Sequence, residues 1–214
     1  GAWQGWWTAH IGIPAFIVDT KSKGFSFGKE DRKMGIRGVP NVPIFFDNVR
    51  VPAENMVGPE GQAFKTCMRI LDLNRPTIGA ISCGLAQGAI DQATAYARQR
   101  NQFGRPIAEF QGIQFMLADM QMQTEAARCM LYDCARMADR QEWDGFSAKA
   151  SMVKCFASDT AMKVTTDAVQ IFGGAGYMRD FPVERYMRDA KINQIFEGTN
   201  QIQRLVIARH MLRG

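Results

Sequence analysis

The chain has 214 residues, of which 46% are hydrophobic, and its formal net charge is +5. This length is enough for one sizeable hydrophobic core with a smaller module beside it, and no apolar run approaches the roughly 18 residues that a membrane-spanning helix needs. The basic residues are interspersed with acidic ones, which argues against a nucleic-acid-binding surface, whereas a mild positive excess suits anionic small ligands with pyrophosphate groups.

Residues 1–58 are predicted to form β-structure. The sequences of 13–19, 25–27 and 42–51 are typical of short strands, and glycine and proline residues separate them. So few strands make an incomplete antiparallel sheet, which needs further strands or a helical layer to cover it. Residues 1–12 hold three tryptophans and do not fit this pattern. They either pack in a core or mark a surface against which another domain docks.

From residue 62 the apolar residues recur with a period near 3.6, which predicts helices through the rest of the chain. The first helix is predicted to begin at Phe64, and Pro76 is expected to kink it or restart it. Further helices are predicted over about 110–138, 146–172, 182–194 and 200–212. Long helices with short connections are typical of an antiparallel bundle. The expected fold is mainly α, with a helical domain over 62–214 that follows a partial β-domain over 1–58.

Glu197 lies in the predicted break between the last two helices, after two large apolar residues and before a glycine. A carboxylate in such surroundings is desolvated, which favours its use as a general base. The alternative is an ordinary connecting loop with a solvated glutamate, and the local sequence alone favours that alternative. The following helix is predicted to start at Asn200, because Asn200 and Gln203 have the spacing of a capping box. Its first amides would then face a ligand near Glu197.

Two other stretches combine residue types that can bind phosphate. Three glycines within 173–176 follow a long helix. They either form its C-cap or leave a bare backbone that a phosphate group or a flat ring can approach closely. Three arginines within 98–105 lie at the end of another helix. The helix dipole favours cations there in any case, and a phosphate clamp is the functional alternative.

The cysteines and histidines give no indication of a metal site. The five cysteines are odd in number and none has CxxC spacing, which indicates a reducing compartment without a disulfide framework. His10 and His210 lie near opposite ends of the chain, and neither has ligand spacing.

Taken together, four stretches resemble the acyl-CoA dehydrogenase family in their order and spacing along residues 25–214. They are KMGIRGVPNVPIFFDNVRVPAENMVG (33–58), RQRNQFGRPIAEFQ (98–111), TDAVQIFGGAGY (166–177) and PVERYMRDAKINQIFEGTNQIQRLVIAR (182–209). The resemblance implies a C-terminal antiparallel four-helix bundle with short extra helices, preceded by a middle β-domain and an N-terminal helical domain. It also implies a homodimer or homotetramer with FAD bound across the dimer interface.

The activity that the resemblance implies is the FAD-dependent dehydrogenation of an acyl-CoA thioester to trans-2-enoyl-CoA in fatty acid β-oxidation. The electrons would pass to an electron-transfer flavoprotein. The protein would work in a bacterial cytoplasm or a mitochondrial matrix, without a membrane-spanning segment and without a nucleic-acid partner.

The resemblance also assigns roles to individual residues. Glu197 would remove the α-proton of the thioester; some family members carry this glutamate at the position of Asn74, where this chain has no carboxylate. The residues implied to contact FAD are Arg100, Gln102, Phe103 and Gln111 for the FAD of the partner subunit, Gln170, Gly173 and Gly174 over its ADP half, and Thr199 and Gln201 for the subunit's own FAD. The residues implied near the acyl-CoA are Asp72, Asn74, Arg75 and Gly198.

Two alternatives to a complete dehydrogenase stay open at this point. We expect that the family's N-terminal helical domain and the β-segments that hold the flavin ring are missing from this chain. One alternative is therefore a truncated, non-catalytic fragment or an assembly module of such an enzyme. The other is an oxidase or another flavoenzyme on the same scaffold.

Overall fold

The computed structural model describes residues 12–213, so the predictions for residues 1–11 fall outside the described residues. The described chain divides into two compact units. The first contains the residues up to Lys33 together with Arg37–Leu71, and the second contains Met34–Ile36 together with the residues from Asp72 onward. The predicted fold class, mainly α with a small antiparallel β-portion, is confirmed.

The first unit contains a short antiparallel sheet. Strand β1 (Phe25–Phe27) pairs with β2 (Ile44–Phe46), with Phe25 opposite Phe46. The strand predicted over 42–51 is shorter than expected, because Asn48 adopts a left-handed backbone with φ of 51° and turns the chain soon after β2. Most side chains of both strands are exposed, as expected for an incomplete sheet.

The strand predicted over 13–19 does not form. Ile13 and Phe16 make only isolated bridges, to Gln62 and Met56 respectively. Pro14 lies between the two bridges and has no N–H group to donate, so a continuous ladder is disfavoured there.

The helical part of the chain contains three long helices and two short ones. They are α1 (Ala63–Gln99), α2 (Gln111–Asp139), α3 (Phe146–Phe172), α4 (Val183–Ile192) and α5 (Asn200–Met211). Their bounds agree closely with the predicted ranges. Helix α3 lies at the centre and contacts α2, α4 and α5, and sixteen of its residues are buried.

Pro76 does not restart the first helix. Helix α1 continues without interruption from Ala63 to Gln99, with Pro76 inside it. A proline removes one backbone hydrogen bond and crowds the preceding turn. The helix tolerates this because it is long and because Ile78, Ala89 and Ala93 on its later turns are buried.

Small side chains form the main core of the second unit. Alanines of α1, among them Ala89, Ala93 and Ala97, are fully buried and belong to the same cluster as Ala161 and Ala168 of α3. Small residues at a helix contact permit a short distance between the helix axes. The core therefore depends on close packing, which a larger side chain would disturb.

The size limit in this core can be tested at two neighbouring alanines of α2. Ala127 is 1% exposed and packs with Cys83 and Ala157, whereas Ala126 is exposed. We expect Ala127→Leu to lower the free energy of unfolding by about 1–3 kcal/mol through overpacking. Ala126→Leu, the matched control, should change it by less than about 0.5 kcal/mol. Chemical denaturation measures both; equal effects would contradict the packing described here.

Among residues 12–213, no helix is long and apolar enough to span a membrane. The same residues contain no group of three or more histidine, cysteine or acidic side chains that could hold a metal ion, and all five cysteines are free thiols.

Candidate active site

Glu197 lies in the short connection between α4 and α5, in an uncommon backbone conformation. Its φ is 54° and that of the following Gly198 is 89°, so two consecutive residues are left-handed. This conformation costs a residue with a side chain on the order of 1 kcal/mol. Neighbouring groups must therefore hold the connection in place.

Two buried side chains bind the backbone of this connection. Lys154 Nζ of α3 and Gln203 Nε2 of α5 both donate to the Gly198 carbonyl oxygen, at 2.8 and 2.9 Å. Gln203 Nε2 also lies 3.4 Å from the Glu197 carbonyl oxygen. A Cβ atom at position 198 would lie 2.6 Å from Gln203 Nε2 and would displace it, and the φ of 89° independently favours glycine there.

The Glu197 carboxylate has an oxygen without a partner. Within the described part of the chain, Glu197 Oε2 is buried and accepts no hydrogen bond. Buried polar atoms in folded proteins are nearly always bonded, and an exception calls for an explanation. A carboxylate oxygen that is removed from water and not engaged with the protein is able to accept a proton from a ligand.

The predicted capping box of α5 is wrong, although the helix does begin at Asn200. The N-cap is Thr199, whose Oγ1 accepts from the Ile202 amide at 3.4 Å. Asn200 cannot cap because its side chain is buried against α3. Its Nδ2 donates to Asp159 Oδ1 at 2.7 Å and to Ser158 Oγ at 2.9 Å, and its Oδ1 accepts from Lys154 Nζ at 2.8 Å.

Asp72 and Arg75, two of the residues predicted near the acyl-CoA, form an ion pair within one turn of α1. Ser147 Oγ donates to Asp72 at 2.9 Å, and Arg75 Nη1 lies 3.3 Å from Ser151 Oγ, so the pair also joins α1 to α3. Arg75 Nη2 lies 4.0 Å from the place of a Cβ on Gly198. The predicted residues Arg75, Gly198 and Glu197 are therefore close together.

Asn74, between the half-buried Asp72 and the buried Arg75, has an exposed side chain, as does the adjacent Leu73. Position 74 therefore offers no carboxylate that could act in place of Glu197.

A pocket of about 750 Å³ lies where the ends of α1 and α3 meet the start of α2. It brings together Arg100, Gln102 and Phe103 from one predicted stretch and Gly173 and Gly174 from the other. The rest of its lining is mostly apolar and includes Tyr96, Ile107, Phe110, Ile113, Met116, Ile171 and Phe172. Its size and its few polar groups are typical of a site that binds a cofactor-sized ligand. Gln111 and Gln170 are exposed and do not line it.

Phe103 stands at the tip of a hairpin at the edge of this pocket. The hairpin joins β3 (Asn101–Gln102) to β4 (Arg105–Pro106), and both Phe103 and Gly104 have positive φ, at 52° and 81°. Two-residue hairpin loops of this kind favour asparagine and glycine, not phenylalanine. The Phe103 side chain is nonetheless 93% exposed. Among the described residues, the ring makes an edge-to-face contact with Phe110, at 6.1 Å between the ring centroids, and is otherwise open to solvent.

The glycines of the pocket differ in what they require. Gly173 caps α3 with φ of 60° and ψ of −138°, a backbone that only glycine adopts readily. Gly174 has no positive φ, and a Cβ added to it would meet no other atom within 4 Å. The fold therefore does not need glycine at 174. The C-cap interpretation of the glycine stretch is confirmed at Gly173, and the approach of a phosphate group or a flat ring to Gly174 stays a prediction.

Thr199 and Gln201 line a different pocket, of about 420 Å³, together with Asp159, Lys191, Gln194, Ile195, Asn200 and Arg204. Burial of Asp159 opposes its ionisation, but hydrogen bonds from Arg204, Gln194 and Asn200 outweigh burial and hold its pKa below the usual value. The two pockets thus separate Arg100, Gln102, Phe103, Gly173 and Gly174 from Thr199 and Gln201, two sets for which the resemblance implies different FAD molecules, while Gln111 and Gln170 line neither pocket.

Comparison with known proteins gives the family. A family model described as the C-terminal domain of acyl-CoA dehydrogenase matches residues 61–212. Probable acyl-CoA dehydrogenase FadE25 of Mycobacterium tuberculosis (strain ATCC 25618 / H37Rv) is 58% identical over 203 residues, which cover 94% of this chain and 52% of the relative. The chain thus spans about half the length of the curated relatives it matches.

Solved structures give the same result. Butyryl-CoA dehydrogenase from Megasphaera elsdenii matches with a TM-score of 0.91 and 48% identity over 95% of this chain and 53% of that one. A chain in a structure described as the electron transferring flavoprotein of Acidaminococcus fermentans matches with a TM-score of 0.92 and 49% identity, over 96% and 53% of the two chains. The chain belongs to the acyl-CoA dehydrogenase family.

Proposed function

We propose that the protein containing this chain is an FAD-dependent acyl-CoA dehydrogenase that converts a saturated acyl-CoA to a trans-2-enoyl-CoA. The observation that carries the proposal is the environment of the Glu197 carboxylate. Its carboxylate has a buried oxygen without a hydrogen-bond partner in the described chain, and it lies in a connection whose backbone two buried side chains hold.

The proposed role of Glu197 is to remove the α-proton of the thioester. A C–H bond next to a thioester carbonyl is a weak acid, so its base must be desolvated and fixed near the carbon. Burial removes Glu197 Oε2 from water, and the bonds of Lys154 and Gln203 to the Gly198 carbonyl hold the connection in place. Asp72, Asn74, Arg75 and Gly198 are proposed to contact the acyl-CoA.

The pocket of about 750 Å³ fits a dinucleotide such as FAD. Arg100 and Gln102 offer hydrogen-bond donors that suit a pyrophosphate, Phe103 offers an aromatic face, and Gly173 and Gly174 leave room at the backbone. Gln111 and Gln170 stay in this set as predictions, and Thr199 and Gln201 are proposed to contact a second FAD. When bound, FAD supplies the acceptor for the hydride that leaves the β-carbon.

Two partners follow from the proposal. One chain with residues for two FAD molecules suits a homodimer or homotetramer in which each FAD lies across an interface. An electron-transfer flavoprotein is the proposed electron acceptor, and the similarity to a chain in the Acidaminococcus fermentans structure supports it.

The proposal is tested by incubating the protein with FAD and then with butyryl-CoA or octanoyl-CoA under anaerobic conditions, with a dye or an electron-transfer flavoprotein as acceptor. We expect one molecule of trans-2-enoyl-CoA, identified by its mass and its absorbance, for every two electrons that the acceptor takes up. Turnover that consumes oxygen at the same rate would instead indicate an oxidase. Absence of flavin binding and of product would indicate a non-catalytic fragment or an assembly module.

A further inference from the structure

Lys154 is a lysine in the middle of the bundle core. It lies on the buried face of α3, between Val153 and Cys155, and its exposed fraction is 0%. Burial lowers its pKa to about 8. A buried ammonium group is costly unless its protons are bonded, so the contacts of Lys154 indicate what it does there.

Both acceptors of the Lys154 ammonium group lie at the start of α5. Its Nζ donates to the Gly198 carbonyl oxygen and to Asn200 Oδ1, each at 2.8 Å. These two residues flank Thr199, the N-cap of α5. A single side chain of α3 therefore binds the peptide between Gly198 and Thr199, one residue after Glu197, and the first residue of the next helix.

The charged and titratable groups around Lys154 come from several elements. Asp159 and Cys155 on α3 and Glu197 in the α4–α5 connection favour the ammonium form, and Arg75 on α1 opposes it. Asp159 is bound to Arg204 and Arg75 to Asp72. Glu197 has a carboxylate oxygen without such a partner in the described chain.

We propose that Lys154 is a positioning residue for Glu197, because it holds the Gly198 carbonyl and thereby keeps the left-handed Glu197 backbone oriented with its carboxylate toward the substrate. This inference rests on the proposed function. Gln203 Nε2 shares the same carbonyl, but it belongs to α5 and moves with that helix, whereas Lys154 connects the loop to the central helix α3.

Lys154→Met removes the donor and the charge while it retains most of the side-chain volume. We expect kcat for acyl-CoA oxidation to fall about 10²-fold, as a misplacement of about 1 Å can produce. The kinetic isotope effect on kcat/KM with α-dideuterated butyryl-CoA should rise, because proton removal becomes slower relative to substrate release. In the absence of substrate, hydrogen exchange at the amides of residues 194–200 should become faster.

Lys163→Met is the matched control, because Lys163 lies on the same helix and pairs with Asp167 on an exposed face. It should change none of these quantities. If Lys154→Met does not fold, Lys154→Gln retains an amide donor and should show the same changes to a smaller degree. A folded variant at 154 with an unchanged isotope effect and unchanged loop exchange would overturn the proposal.

The isotope effect separates a positioning role from a merely structural one, since a lower fraction of folded enzyme reduces kcat but leaves the isotope effect as it was. Activity of Glu197→Gln separates this inference from the proposed function. If that variant is inactive and Lys154→Met behaves like the wild type, only the inference fails. If Glu197→Gln is fully active, Glu197 is not the base and the proposed function fails first.

Discussion

Glu197→Gln is expected to lower kcat for acyl-CoA oxidation by about 10²–10⁴-fold, the range for loss of a general base. Glutamine has nearly the same shape as glutamate and occupies the same space, but its amide does not take up a proton. Because Glu197 Oε2 has no hydrogen-bond partner in the described chain, the substitution breaks no bond at that atom. The fold and the bound flavin should therefore be retained.

The measurement is steady-state turnover with a dye acceptor, together with the flavin-to-protein ratio and the thermal midpoint. Glu142→Gln is the control, because Glu142 lies in the α2–α3 connection and pairs with Arg140. It should leave kcat unchanged. A Glu197→Gln variant with full activity, or one that has lost its flavin, would contradict a role limited to proton removal.

Gly174→Leu is expected to weaken flavin binding without loss of the fold. Gly174 lines the pocket of about 750 Å³, and a Cβ there meets no other atom within 4 Å, so we expect a leucine side chain to extend into the empty pocket without disturbing the fold. In the presence of flavin it competes for that space. A cost of about 1–3 kcal/mol for overpacking corresponds to roughly a 5- to 150-fold rise in Kd.

The measurement is titration of the apoprotein with FAD, followed by flavin fluorescence. Gly84→Leu serves as control, since Gly84 also has open space around it but is exposed on α1 and does not line the pocket. Equal affinities for Gly84→Leu and the wild type are expected. Unchanged affinity for Gly174→Leu would place the flavin elsewhere.

The helices were predictable because the apolar period near 3.6 persists over long stretches and because glycine residues mark several helix ends. Helix α3 begins and ends at the predicted residues, 146 and 172, because a left-handed glycine precedes it and another follows it. The strands were less predictable. Residues 13–19 and 42–51 have strand-like composition, but Pro14 and the turn at Asn48 limit pairing, and composition carries no information about a missing partner strand.

The environment of Glu197 was only partly predictable. Its position in a break between helices was evident, but the capping prediction chose Asn200 because spacing alone cannot show that the Asn200 side chain is buried against Asp159. Lys154 was missed, although there was a signal. A lysine four residues after Ala150 and three before Ala157 falls on the apolar face of its helix, where a charge needs a partner.

The pocket required tertiary structure. Arg100 and Gly173 are more than seventy positions apart in the chain, and each stretch alone had an ordinary explanation as a helix end. The packing of α1 against α3 places both at one cavity. Thr199 and Gln201 line a second pocket. The local sequence could not show that these two residues and Arg100 belong to different pockets.

The central claim is that Glu197 removes the α-proton of an acyl-CoA. It is tested most directly in a single anaerobic turnover of flavin-loaded wild type and Glu197→Gln with butyryl-CoA deuterated at the α-carbon, with the product analysed by mass spectrometry. We predict that the wild type forms trans-2-enoyl-CoA with one α-deuterium lost, and that Glu197→Gln binds the substrate but forms no product on the same time scale. Product formation by Glu197→Gln at the wild-type rate would contradict the claim.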